Sequence, residues 1–212
     1  YGKPDIPIGA VRNGVTPKPG KYLQVADETY PDGNLVYPHD LIRGEDAPEA
    51  VTLLRKTLAA QPDHSVAIVQ VGFFTNLARL LKSEPDEYSK LAGPELVAKK
   101  VKSLVIMAGA FQTIRNHTRF LEYNVKMDIP SAQEFAENWT APLLWSGYEV
   151  GIAAAYPWQS IIEDYDYVER HLIKESYLVY VPQHPHDRPT WDLTAVLAAV
   201  YPDRGYFDYS AP

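Results

Sequence analysis

The chain has 212 residues, 46 % of them hydrophobic and 22 % charged, with a net charge of -7 at neutral pH and no cysteine. This composition fits one domain with a sizeable core and is not that of a disordered chain. It also excludes disulfides, thiolate metal sites and cysteine nucleophiles. The acidic balance, with no Lys/Arg-rich run, argues against a nucleic-acid polymer as partner.

The longest apolar runs, such as 65–74, are too short to cross a bilayer. The chain opens on Tyr1 rather than Met, so missing targeting signals carry no information. Residues 1–45 show little periodicity and predict a short strand near Ile6 to Val11, then a long loop. Asp46 and Glu49 have capping-box spacing with Pro48 between them, which predicts a helix from Asp46 to about Gln61-Pro62. Ser65 to Val71 is a β-branched run typical of a strand buried on both faces, ended by Gly72. Thr75 is a candidate cap for a helix from Asn76 to Leu81.

Further strands are predicted at Ser103 to Met107 and Pro142 to Ser146, and a helix at Pro130 to Asn138. The segment from Tyr165 to Val181 permits either element, with helix preferred. Thr190 to Val200 predicts a helix with Leu193, Val196, Leu197 and Val200 facing inward. Alternating strands and helices define an α/β fold. It is expected as a three-layer, mostly parallel open sheet with helices on both faces. Ligands bind such sheets beyond the carboxyl ends of the strands, which selects the segments after Val71, Met107 and Ser146.

Several polar groups fall in those segments. Glu122 and Asn124 are separated by one residue, and extended backbone would put both side chains on one side, where they suit sugar hydroxyls. Taken alone, a solvated turn explains that triplet equally simply. Asp192 has a plain reading as a first-turn acid favoured by the helix dipole, and Trp191 as a core anchor. His184 and His186 flank Pro185 with no third ligand nearby, so exposed loop histidines are the simpler reading of that pair. No G-x-S-x-G elbow and no Gly-rich phosphate loop occur.

The order of these groups resembles the inosine–uridine-preferring nucleoside hydrolase family. The matching stretches are Asp5-Ile-Pro-Ile-Gly9, Val66 to Ala78 with Gly72-Phe-Phe-Thr-Asn76, Leu104 to Ala110, and Asn116 followed by Glu122-Tyr-Asn124. Asp128-Ile-Pro-Ser-Ala132 and Trp191-Asp192 complete the series. The resemblance implies an N-glycosidase that uses calcium and takes a small nucleoside. Asp192 and the backbone carbonyl of Val71 would be calcium ligands. Asn116, Glu122 and Asn124 would hold the ribose hydroxyls, with Met107 packed beside the sugar. Glu122 and Asn124 are the catalytic candidates, Glu122 by stabilising positive charge on the ring.

Two departures from the family pattern stand out. The family's N-terminal D-x-D-x-x-x-D-D type segment is absent. Those aspartates supply most calcium ligands and the general base, so the expectation is one incomplete domain over 1–212, inactive and without tight calcium binding on its own. The second departure is Trp191, where the family usually has a histidine that assists the departing base. Tryptophan has no titratable proton but offers a ring on which a base can stack. His184 and His186 are then candidates for the leaving-group acid. A homo-oligomer is implied by the family, and a non-catalytic sugar- or nucleoside-binding protein is the alternative, as is a calcium-dependent glycosidase on another substrate.

Overall fold

The β-branched runs form a parallel sheet in the computed structural model, which describes residue 3, residues 5–183 and residues 185–210. In chain order, α1 is Ala50–Ala60, β1 Val66–Gln70, α2 Thr75–Leu81, α3 Gly93–Lys100 and β2 Val101–Met107. Then come α4 Tyr123–Met127, α5 Ile129–Asn138, β3 Leu143–Ser146, α6 Tyr148–Ala153 and β4 Ala155–Tyr156. The chain continues with α7 Trp158–Glu163, α8 Leu172–Tyr180, β5 Arg188–Pro189 and α9 Trp191–Val200. The strand order is β1-β2-β3, all parallel, with Ile68 opposite Leu104 and Ile106 opposite Trp145. β4 and β5 form a separate antiparallel pair.

Strand side chains alternate between the two faces, so β2 feeds two cores. Leu104 and Ile106 pack with Leu58, Phe74, Leu77, Leu80, Leu96 and Phe135 from the helices on one side. Val105 and Met107 pack with Ala195 and Ala198 of α9 on the other. Phe74 and Phe135 are fully buried with ring centroids 5.3 Å apart, and burial of each contributes roughly 2–3 kcal/mol. Helices therefore cover both faces of the sheet, the α/β arrangement expected from the sequence.

Several local expectations are corrected. The Ile6 to Val11 strand is absent; Ala10 makes only an isolated bridge to Glu49. Asp46 does not cap α1 but closes a short 3-10 helix, Gly44–Asp46, and pairs with Arg43. Glu49 is the cap, its carboxylate accepting the Thr52 N–H at 2.9 Å. The helix α3 was not anticipated. It begins at Gly93, whose missing side chain lets the chain approach the Leu80 carbonyl. The segment preferred as a helix near 165–181 contains α8, capped by the His171 ring, which accepts the Ile173 N–H at 3.2 Å.

The face of α9 is also the reverse of the expected one. Leu193, Val196, Leu197 and Val200 are exposed, while Thr194, Ala195 and Ala198 are buried. The small alanines let the helix axis come close to the sheet, which larger side chains would prevent.

Candidate functional site

Parallel pairing brings the carboxyl ends of β1, β2 and β3 to one edge. After β1, the chain turns through Val71 and Gly72. The Gln70 carboxamide donates to the carbonyls of Gly72 at 2.8 Å and Phe73 at 2.6 Å. The Val71 carbonyl is the one in this turn that Gln70 does not hold. Thr75, at the start of α2, then donates its hydroxyl to the Asp128 carboxylate, and both groups are buried. Asp128 ends α4 and caps α5, so this bond ties the turn after β1 to the helices that follow β2. The Phe73 and Tyr123 rings, 5.7 Å apart, form a second link.

After β2, Gly109 turns the chain in left-handed backbone at φ +75°. Glu122 is 3 % exposed. It is not in extended backbone with Asn124, as the sequence suggested, but caps α4. One carboxylate oxygen accepts from Asn124 N–H at 2.8 Å; the other accepts from Gly109 N–H at 3.1 Å and Val125 N–H at 3.3 Å. Asn124 points at the same edge. Its carboxamide donates to the Met107 carbonyl at 3.0 Å and approaches the Met107 sulfur at 3.4 Å. The cap geometry thus achieves the convergence that the extended reading assigned to strand alternation.

After β3, the Ser146 and Thr194 hydroxyls meet at 3.1 Å, and Thr194 donates to the Trp191 carbonyl at 2.7 Å. These buried contacts hold the start of α9 over the strand ends. Trp191 packs on the cluster of Val105, Met107, Ala195 and Ala198. Its indole N–H donates to the Tyr148 carbonyl at 2.9 Å, and its ring lies 5.3 Å from the Tyr148 ring. Phe120 extends this aromatic group, 4.8 Å from Tyr148. Asp192 follows in the first turn of α9 and remains accessible to water. Partial burial, then the negative charge of Glu122, raises its carboxyl pKa above the ordinary value.

Asn116 is exposed, at φ +67°, in the tight turn between Ile114 and His117. His184 lies outside the described residues. His186 is exposed and its backbone exchanges hydrogen bonds with the Tyr177 hydroxyl at 2.8 Å. Among the described residues, no group of three or more His, Asp or Glu is placed to hold a metal ion. Sequence reading missed Tyr148 and Glu149; the Glu149 carboxylate accepts the Phe111 N–H at 3.2 Å and so fixes the loop after β2. Both lie directly beyond Ser146-Gly147, and that position was the available signal. They line a cavity of about 330 Å³ together with Gln112 and Arg115.

An α/β sheet with paired carboxylates at its strand ends is one of several scaffolds that bind small polar ligands, and comparison with known proteins identifies which. A family model for inosine-uridine preferring nucleoside hydrolase matches residues 8–209. The chain is 34 % identical over 155 residues to the pyrimidine-specific ribonucleoside hydrolase RihA of Salmonella paratyphi B, and equally to that of Salmonella enteritidis PT4. Each match takes in 70 % of this chain and 43 % of the relative, so the chain spans under half the relatives' length. A plant nucleoside hydrolase structure, the PpNRh1 enzyme, superposes with a TM-score of 0.65 at 20 % identity, covering 93 % of this chain and 61 % of that one. An inosine-guanosine nucleoside hydrolase gives 0.63 at 20 % identity, over 82 % and 54 %. The chain belongs to the inosine-uridine preferring nucleoside hydrolase family.

Proposed function

We propose that the protein hydrolyses the N-glycosidic bond of ribonucleosides to ribose and a free base. The observation that carries this reading is the convergence of Glu122 and Asn124 on the carboxyl end of β2, where they meet the Gly109 N–H and the Met107 carbonyl. In the reaction the bond from the sugar's anomeric carbon to the base nitrogen lengthens, and its electron pair leaves with the base. Positive charge develops on the ribosyl ring, and the fixed carboxylate of Glu122 stabilises it. Water adds to the anomeric carbon and loses a proton, and the departing base gains one. Glu122 and Asn124 orient the ring through its hydroxyls, and Met107 packs beside it. Asn116, in the exposed turn after β2, is a further sugar contact that the family resemblance implies.

Trp191 offers the base a ring surface. Its N–H is engaged by Tyr148, so it supplies no proton to the leaving group. Calcium is the metal that the family resemblance implies, with Asp192 and the Val71 carbonyl as its ligands in this chain. Two donors fall short of the six to eight oxygens calcium takes, so these residues alone do not fit a complete site. The groups named above act on the sugar ring and the base; the acceptor of the water's proton and the donor to the leaving base are not among them.

The test is ribose release from a panel of purine and pyrimidine nucleosides by the gene product with its natural N-terminus, with and without a calcium chelator. Pyrimidine nucleosides head the panel because the relatives quoted above are named for them. Chelator-sensitive release is expected. Absence of release from every nucleoside, with an analogue still bound, would favour the second reading. That reading is a nucleoside-binding protein without catalysis, favoured by Trp191 at a position where a proton donor was expected.

A further inference from the structure

Trp191 is joined to Glu122 by three hydrogen bonds linked through the backbone of Tyr148 and Gly109. The indole N–H donates to the Tyr148 carbonyl at 2.9 Å. The Tyr148 N–H donates to the Gly109 carbonyl at 2.9 Å. The Gly109 N–H donates to the Glu122 carboxylate at 3.1 Å. We propose that Trp191 is a positioning residue for Glu122, acting through the backbone of Tyr148 and Gly109. The inference rests on the reading of Glu122 as the carboxylate that faces the ribosyl ring.

Each junction of this run is built rather than incidental. Gly109 holds φ +75°, a conformation that residues with a Cβ rarely adopt, and so aims one end at Glu122 and the other at Tyr148. Trp191 is held from the far side by Gly151, where a Cβ would lie 2.3 Å from the indole Cδ1 and 2.5 Å from the Trp191 backbone nitrogen. The Thr190 N–H donates to the Gly151 carbonyl at 3.0 Å, which fixes the start of α9 against α6. The ring thus has a defined place, and its N–H has one acceptor. At Tyr148 and at Gly109 the N–H and the C=O belong to adjacent peptide groups joined at the Cα, so the coupling is mechanical: a shift of one peptide group moves the next, and loss of the first bond loosens the rest.

A purely stacking role makes a different demand. A ring of similar shape without the N–H would then serve as well. The decisive substitution is therefore the benzothiophene analogue of tryptophan at position 191, which keeps the two-ring shape and removes the donor. Trp191→Phe is the second variant, and the thermal midpoint of each shows that it is folded. Both are compared with the parent, in the gene product with its natural N-terminus, by nucleoside hydrolysis and by hydrogen exchange at the Gly109 and Tyr148 amides.

The expected result is about tenfold faster exchange at both amides in both variants and, for the analogue, a kcat lowered about tenfold with KM changed less than about twofold. Exchange at both amides unchanged in the folded analogue would overturn the proposal. So would faster exchange with kcat unaltered, because Glu122 would then not depend on the run. If the parent releases no ribose from any nucleoside, the functional reading fails by itself. The exchange measurement then still decides whether Trp191 holds the Tyr148 and Gly109 backbone.

Discussion

Thr75→Val tests whether the turn after β1 is locked to the helices after β2 by one buried hydrogen bond. Valine keeps the branched shape of threonine and removes only the hydroxyl. Thr75 and Asp128 are each 7 % exposed, so water does not readily replace the lost donor. The carboxylate retains the Ser131 N–H, but at 3.4 Å, a long contact. A hydrogen bond to a charged group contributes about 1.5–3 kcal/mol, and the added methyl recovers a part of that. The expected loss is about 2 kcal/mol, or a fall of about 4–8 °C in Tm for a domain of this size. Urea unfolding of the parent, Thr75→Val, Asp128→Asn and the double variant measures the coupling directly. A loss under about 0.5 kcal/mol for Thr75→Val, with an unchanged urea dependence, would refute the reasoning.

Acid provides a second test, at a buried arginine away from the site. Arg55 donates to Asp86 at 2.6 Å and to Ser83 and Leu91, and this contact lowers the Asp86 pKa to about 2. The lowered carboxyl adds stability above its unfolded pKa of about 3.9, and that contribution disappears as the pH falls through about 2. The parent should therefore lose its advantage over Asp86→Asn between about pH 4 and 2, and parallel denaturation curves over that range would contradict the assignment. Gly151→Ala forces a Cβ into Trp191, so a loss of about 1–3 kcal/mol is expected with a shifted tryptophan emission; a variant as stable as the parent would mean that α6 and α9 separate easily.

The strands were legible because Ser65 to Val71, Ser103 to Met107 and Pro142 to Ser146 are compact apolar runs bounded by breakers. Their parallel pairing placed the polar segments correctly at one edge. The orientation of α9 was not legible, because Trp191 to Val200 is apolar nearly all round and periodicity does not choose between two apolar faces. Side-chain size decided it, since Ala195 and Ala198 permit the close approach. Glu122 was read in the right place for the wrong geometric reason: local capping bonds aim it, and a two-residue period does not reveal them. Asp128 and Thr75 were each visible in a motif, but their contact depends on long-range folding. Tyr148 was invisible as a contributor because its role lies in its peptide groups, which any residue possesses.

The parallel topology also sets an order of assembly. Register joins Val66 to Val101 and Leu104 to Leu143, so each strand pairing must wait for the helices in between to be made. Closing such distant loops comes before any reward from contact, which makes parallel sheets slow to form. The second face of the sheet waits longer still, since α9 follows all three strands in the sequence. A nascent chain that has not yet emerged as far as Trp191 leaves the Val105 and Met107 face uncovered and open to association. The same late helix brings Trp191 and Asp192, so the edge that would meet a ligand is completed in the step that covers the core.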